Sequence, residues 1–392
     1  MSSSTSVESA ADRALVALIL RAFPLHAPPP LRATPSAAWD ILLARARWHG
    51  LAPLLCAALD AQPRDDIPQD IAETLTELYR RSALAGAAKY HELAILLNLA
   101  RADKLDLLLL KGAALAQWLY PAPALRPFGD VDVLVHQSDV PRLRALLEAR
   151  AYRASDELAD GFRDAYYSEM AFTQTAPPHL ALDAHWHLFV PVYFRTRMDA
   201  QWFWAHTQSF PLGGASVLIF NPTAQLVHLS IHASLNHQNA PRLLWLYDLA
   251  LLLKQHGTEI DWDAALTFAR ASHVTRSMYE ILMQVEQWWD VCAPPSFLAS
   301  LSATRIGVNE RIAFALMAAN RNEARALSDA LATPGAVNKL RYAARHLFPA
   351  PAYMTQHYRI PHPALLPLYY ARRIVESSWK FARSLVSSVA HR

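Results

Sequence analysis

Apolar residues recur at spacings of three and four over residues 37–61 and 70–102, which predicts amphipathic helices. The clearest stretches are AWDILLARARWHGLAPLLCAAL and DIAETLTELYRRSALAGAAKYHELAILLNLARA. Asp70, with Glu73 three residues on, has the form of a capping box for the second helix. A shorter helix is expected over 8–23, before the Pro-rich break PLHAPPPLRATP.

The pattern changes at residue 105. LDLLLL (105–110) is a short continuous apolar run, as in a buried strand. KGAALAQWLY then reads as a helix, PAPALRPFG as a loop and DVDVLV as a second strand. HQSDVPRLRALLEARAY predicts a helix begun by Ser138 or Asp139, with Pro141 in its first turn.

A further strand-like region spans 155–220. Within HLALDAHWHLFV, Leu180, Leu182, Ala184, Trp186 and Leu188 fall on one face, and Asp183, His185 and His187 on the other. ASVLIFNP (215–222) is another strand and its exit. Helical periodicity returns in TAQLVHLSIHASLNH and in APRLLWLYDLALLLKQHG, which ends near Gly257, and continues through 330. PAPAYMTQHYRIPHPALLP reads as an extended Pro-rich segment, and LYYARRIVESSWKFARSLVSSVAHR as a basic amphipathic helix.

Composition narrows the function classes. Hydrophobic residues make up 53% and charged residues 18% of the 392, with a net charge of +3. That balance supports a large core and gives no electrostatic case for a nucleic-acid binder. Cys56 and Cys292 match no metal or redox spacing, and a reduced, cytoplasmic compartment is the expectation. The acidic N-terminus is unlike a signal peptide, and no apolar run reaches the length of a spanning helix.

The chemistry concentrates in RPFGDVDVLV. Asp130 and Asp132 are two apart, so on a strand they project from one face, roughly 6.5–7 Å from each other. Two like charges that close are costly unless a cation relieves them. Mg²⁺ or Mn²⁺ held by one or two carboxylates and substrate phosphates would do so. If the Asp183 strand pairs beside DVDVLV, a third carboxylate joins them as a further ligand or a general base. Lys111-Gly112 sits between a strand and a helix, where backbone N–H groups suit phosphate. Gly112 permits close approach, and Lys111 or Arg126 supplies charge. The alternatives are plain: a solvent-facing strand for Asp130 and Asp132, a surface carboxylate for Asp183, a solvated Lys111, and an Arg126 paired with Asp130 or Asp132. His185 and His187 suit a pocket wall. His228 and His232, four apart on a helix, suit a pocket or core more than zinc, since no acidic third ligand sits at the required spacing. Arg242, Trp245 and Asp248 could touch a base or an acceptor, or serve the helix structurally.

The stretch LLLLKGAALAQWLYPAPALRPFGDVDVLV resembles the uncharacterised nucleotidyltransferase family, a branch of the DNA polymerase β-like nucleotidyltransferase superfamily. The likeness extends to LDAHWHL and HLSIHASLNH…RLLWLYDLALL, over most of 85–255. Lys111-Gly112-Ala113 stands where the wider superfamily has Gly-Ser, a form similar to that of this branch. The resemblance implies an α+β fold: a polymerase β-like core with a small mixed sheet over 103–220, a helical N-terminal region (1–102) and a helical C-terminal region (221–392). It implies transfer of a nucleoside monophosphate from an NTP to an acceptor, with Asp130, Asp132 and Asp183 as metal and catalytic residues. Lys111, Gly112, Arg126 and Gly129 would contact the nucleotide, and His185, His228, His232, Arg242 and Asp248 would shape an acceptor pocket. The acceptor could be a small molecule, a peptide or a protein, with nucleic acid the least supported. Two alternatives stay open: an inactive nucleotide-binding regulatory relative, and a peripheral interaction protein of a membrane-linked biosynthetic pathway that uses residues 366–392.

Overall fold

Alternation within short strands decides what packs on either face of a single mixed sheet. The computed structural model describes residues 2–23, 39–60, 67–154, 168–189, 191–236, 241–318, 329, 332–333, 335–349 and 351–389. The strands are β1 (Leu108–Leu110), β2 (Val131–Leu134), β3 (Tyr152–Ala154), β4 (Glu169–Gln174), β5 (Ala181–His185), β6 (Thr207–Leu212) and β7 (Ala215–Phe220). Their order across the seven-stranded sheet is β3-β4-β5-β2-β1-β7-β6. β2 runs parallel to β5 and β1 parallel to β7, and the other neighbours are antiparallel.

Helices α1 (Ser2–Ala22), α2 (Trp39–His49), α3 (Ala52–Asp60) and α4 (Gln69–Ala102) precede the sheet. α5 (Lys111–Trp118) joins β1 to β2, α6 (Val140–Ala149) leads into β3, and α7 (Val192–Arg195) and α8 (Ala200–Ala205) lie between β5 and β6. α9 (Pro222–Ile231), α10 (Leu243–His256), α11 (Trp262–Ala271), α12 (Thr275–Trp289), α13 (Pro295–Ser302) and α14 (Val308–Ala318) follow. Toward the C-terminus come α15 (Ala336–Leu347), α16 (Pro351–Tyr358) and α17 (Leu366–Val389).

Leu109, Val131, Val133, Leu182, Ala184, Val217 and Ile219 form one core with Leu93, Leu96 and Leu97 of α4 and Leu143 and Leu147 of α6. Leu108, Leu110, Leu134 and Phe220 point the other way, into a larger core with α9 and α10. Every residue of α9 is buried. The result is a sheet between two helical layers, an α+β architecture. Asp132 lies between Val131 and Val133, so the pleat sends it to the α9–α10 side.

Several local expectations are corrected. The periodic stretch 37–61 is two helices, because Gly50 adopts φ +75° between α2 and α3. Leu244 Cδ2 lies only 3.0 Å from where a Cβ on Gly50 would sit. Asp70 is inside the first turn of α4, whose N-cap is Pro68 with no side-chain cap bond. β2 begins at Val131, so Asp130 stands just before the strand rather than in it. The Pro-rich tail segment is not extended throughout. Pro351 is tolerated at the start of a helix, and the residues after it carry α16 to a stop where Arg359 takes φ +51°. The Pro-rich break at 24–35, residues 155–167 of the strand-like region expected over 155–220, and residues 319–328 of the helical run expected through 330 lie outside the described residues. Among the described residues no helix is long and apolar enough to cross a membrane.

Candidate active site

Parallel pairing of β2 with β5 sets Asp132 opposite Asp183. Antiparallel pairing of β1 with β2 sets Leu110 opposite Asp132, and α5 starts at the next residue, Lys111. Lys111 takes a left-handed φ of +46°, a strained choice for a side chain with a Cβ. Its Nζ donates to Asp132 Oδ1 at 2.7 Å. His185, two residues beyond Asp183 on β5, meets the same oxygen through Nε2 at 2.8 Å. Its Nδ1 lies 3.0 Å from Glu169 Oε2 on β4. Both contacts to Asp132 fall on Oδ1.

The electrostatics follow from this crowding. Burial alone would raise Asp132, but Lys111 and the bond from His185 win and hold it well below the usual carboxylate range. Asp183 is bonded to no Lys or Arg among the described residues, and His185 offsets its rise only in part. Burial, with Asp132, Asp130 and Glu169 nearby, pushes it up to about 6. Burial would lower His185, yet its two carboxylate partners raise it. Ligand atoms of Asp132, Asp183 and His185 lie within 4.8 Å of one another. Since both nitrogens of His185 are engaged by carboxylates, the donors available to a cation are chiefly carboxylate oxygens, together with exposed Asp130. Such hard donors fit Mg²⁺ or Mn²⁺.

These groups open on a cleft of about 960 Å³. Lys111, Gly112, Arg126, Gly129, Asp130, Asp132 and Asp183 line it on the sheet side, and His232, Arg242, Trp245 and Asp248 on the helical side. Arg126 pairs with neither Asp130 nor Asp132. Its Nη2 and Nε donate to Asp248 at 2.7 and 3.2 Å, and Tyr120 donates to Asp248 Oδ1 at 2.7 Å. Asp248 is fully buried. This ion pair fixes the loop before β2 to α10. Gly112 is required by the same loop: a Cβ there would fall 2.4 Å from Arg126 Nη1 and 2.6 Å from Phe128 Cβ. Arg242 is exposed, with its guanidinium 5.5 Å from the ring of Trp48 and 5.7 Å from that of Trp245. His228 is buried behind the site with Nδ1 unpartnered among the described residues, and burial lowers it to about 3. His187 is half-buried and is also lowered, to about 4, by desolvation.

Sequence reasoning missed four contributors. Glu169 could have been found, because alternation in EMAFTQ puts it on the face opposite Met170 and Phe172. Lys89, on α4, donates to Phe128 O and to Gly129 O at 2.9 Å, and Tyr90 to Ala113 O at 2.9 Å. Both brace the loop and turn from behind. Trp48 reaches the cleft through a tertiary route. Asp12 on α1 accepts from Arg45 at 2.7 Å and lies 3.2 Å from His49 Nε2, while His49 Nδ1 accepts from Leu243 N at 3.1 Å. That chain of bonds ties α1 and α2 to the start of α10, which brings Trp48 beside Arg242.

No curated protein matches the chain. Among solved structures, an antigenic nucleotidyltransferase-like protein from Paracoccidioides brasiliensis is 14% identical, with a TM-score of 0.33, over 56% of this chain and 94% of its own. A family match covers the site. It spans residues 35–290, well over half of the chain, and takes in both aspartate-bearing strands, the Lys111-Gly112 turn and the helix of Asp248. On that match the chain belongs to the uncharacterised nucleotidyltransferase family.

Proposed function

We propose that the cleft binds a nucleoside triphosphate with Mg²⁺ or Mn²⁺ and transfers the nucleoside monophosphate to an acceptor nucleophile. The observation that carries this reading is the register of Asp132 against Asp183, with Asp130 at the strand entry, on the floor of a cleft that also holds Lys111. Asp130, Asp132 and Asp183 would hold the cation, which supplies charge neutralisation for the phosphates when bound.

The chain's own residues do the rest. Lys111 exchanges its bond to Asp132 for a phosphate oxygen, and the first N–H groups of α5 face the same anion. The acceptor oxygen bonds to the α-phosphorus as the bond to the β-bridging oxygen breaks, and pyrophosphate leaves. Asp183 either completes the cation site or takes the acceptor proton. His185, held between Asp132 and Glu169, keeps the Asp132 carboxylate oriented. Arg242, between Trp48 and Trp245, offers a cation and two ring faces to the base or the acceptor.

One observation favours a second reading. Lys111 already neutralises Asp132, so the pocket is electrostatically satisfied in part without a cation, as suits a relative that binds nucleotide without turnover. Pyrophosphate release and α-phosphate label transfer from each NTP, with a cell extract as acceptor source, separate the two. Transfer that survives in both Asp130→Asn and Asp132→Asn would sink the assignment. Metal-dependent NTP binding without transfer would favour the second reading.

A further inference from the structure

The last three helices carry a charge and an exposure that the cleft does not use. Residues 331–392 contain nine Lys and Arg residues and a single acid, Glu376. The whole chain has 37 basic and 34 acidic residues, so the part before residue 331 is net negative and the basic surplus belongs to this segment. The same segment exposes large apolar side chains. Leu340 is 71% exposed, Val375 68% and Trp379 60%, with Val337, Phe348 and Leu368 also open to solvent.

Their placement is ordered. On α17, Leu368, Val375 and Trp379 are seven and four residues apart, which puts them on one stripe of the helix. The sequence continues that spacing through Ala382, Val386 and Val389. On α15, Val337 and Leu340 sit beside exposed Lys339 and Arg341, which form no ion pair among the described residues. Polar and aromatic contacts are used to join the helices to each other. Tyr358 Oη of α16 donates to Glu376 of α17 at 3.1 Å, and Arg373 of α17 lies 5.5 Å from the ring of Tyr353 on α16, while Arg372 pairs with Glu376 within α17 at 2.6 Å.

We infer that α15–α17 form a docking surface for an anionic lipid bilayer, lying in the plane of the headgroups. Apolar side chains interleaved with Lys and Arg are what such an interface rewards. A second copy of the chain would bring the same basic surplus against itself. Nucleic acid would use the charge and leave the apolar stripe wet. The surface is independent of the chemistry proposed for the cleft.

Flotation of the full chain with vesicles tests this, using phosphatidylcholine alone and phosphatidylcholine mixed with phosphatidylserine, at low and high salt. Binding is expected only where phosphatidylserine is present, and is expected to weaken with salt. Lys339→Gln with Arg341→Gln should weaken it by about twenty-five-fold, since each basic residue near the surface is worth about fivefold. Val375→Ser with Trp379→Ser should weaken it by about tenfold or more. All four side chains are exposed, so an unchanged melting temperature will show that the variants fold. Absence of binding, or equal binding to both vesicle types, overturns the inference. So does a lipid-independent dimer abolished by Val375→Ser with Trp379→Ser, which would assign the face to a second copy. Preferential retention on RNA or DNA at the same salt would assign it to nucleic acid.

Discussion

Asp183→Asn is the perturbation on which the electrostatic picture of the cleft depends most directly. In the metal-free protein Asp183 is raised from the usual 3.8 to about 6 by burial and by the carboxylates of Asp132, Asp130 and Glu169. A carboxyl whose folded value is raised destabilises the fold once it ionises. The penalty is absent below about 4, grows between about 4 and 6, and is fully present at pH 8. At full weight the shift corresponds to about 3 kcal/mol. Asp183 reaches the water of the cleft, and halving for solvent screening leaves about 1.5 kcal/mol. Asn removes the charge and keeps the shape. With EDTA at pH 8 the variant should therefore melt about 2 °C higher than the parent, and at pH 4 the two should melt together. Mn²⁺ or Mg²⁺ reverses the order. A hundredfold excess over the dissociation constant stabilises the parent by about 2.7 kcal/mol, and the variant far less. Scanning calorimetry with and without the cation at both pH values measures all four differences. A variant that melts lower than the parent in EDTA at pH 8 would refute the repulsion. A metal response equal to that of the parent would remove Asp183 from the cation site.

Three further outcomes are expected. Arg126→Ala or Asp248→Ala leaves a buried charge uncompensated and should each cost about 3–5 kcal/mol in urea unfolding, with Arg126→Met plus Asp248→Leu recovering part of it; single losses below about 1 kcal/mol would contradict the ion pair's role. Gly112→Ala forces a Cβ into Arg126 and Phe128 and should destabilise by about 1–3 kcal/mol while weakening nucleotide binding, both read in one thermal-shift titration. Lys111→Ala removes one charge-assisted bond to phosphate and should weaken NTP binding by about tenfold in calorimetric titration; unchanged affinity would leave Lys111 as a partner of Asp132 only.

What the sequence disclosed was what lies close together along it. The Leu108–Leu110 and Val131–Leu134 strands, the helix between them and the Lys111-Gly112 turn all have local signatures: a short apolar run, a Gly and good helix formers. The approach of Asp183 to Asp132 was readable as a condition, since alternation gave its face, and only pairing could give its neighbour. Arg126 shows the limit. Its nearest acids in sequence are Asp130 and Asp132, yet it bonds Asp248, 122 residues away. No periodicity carries that information, because it arises where the loop before β2 packs on α10. The break at Gly50 and the helix at Pro351–Tyr358 were missed for the opposite reason. In each a single backbone torsion or a tolerated proline decides the outcome against the surrounding pattern.

The hydrogen-bond chain from Asp12 through His49 to the Leu243 amide has a consequence for the boundaries of the functional unit. The family match begins at residue 35, so Asp12 lies outside it. Because His49 Nδ1 accepts from Leu243 N, its Nε2 carries the proton and needs the Asp12 carboxylate as acceptor. A protein cut back to residues 35–290 would keep every aspartate of the cleft and lose the carboxylate end of the strut behind its far wall. Arg45 and His49 would lose the Asp12 carboxylate, and of the chain that sets Trp48 beside Arg242 only the bond from Leu243 N to His49 Nδ1 would remain. The matched residues would then keep the acidic floor of the cleft behind a less firmly braced wall, and the first helix would act on the cleft from outside the matched span.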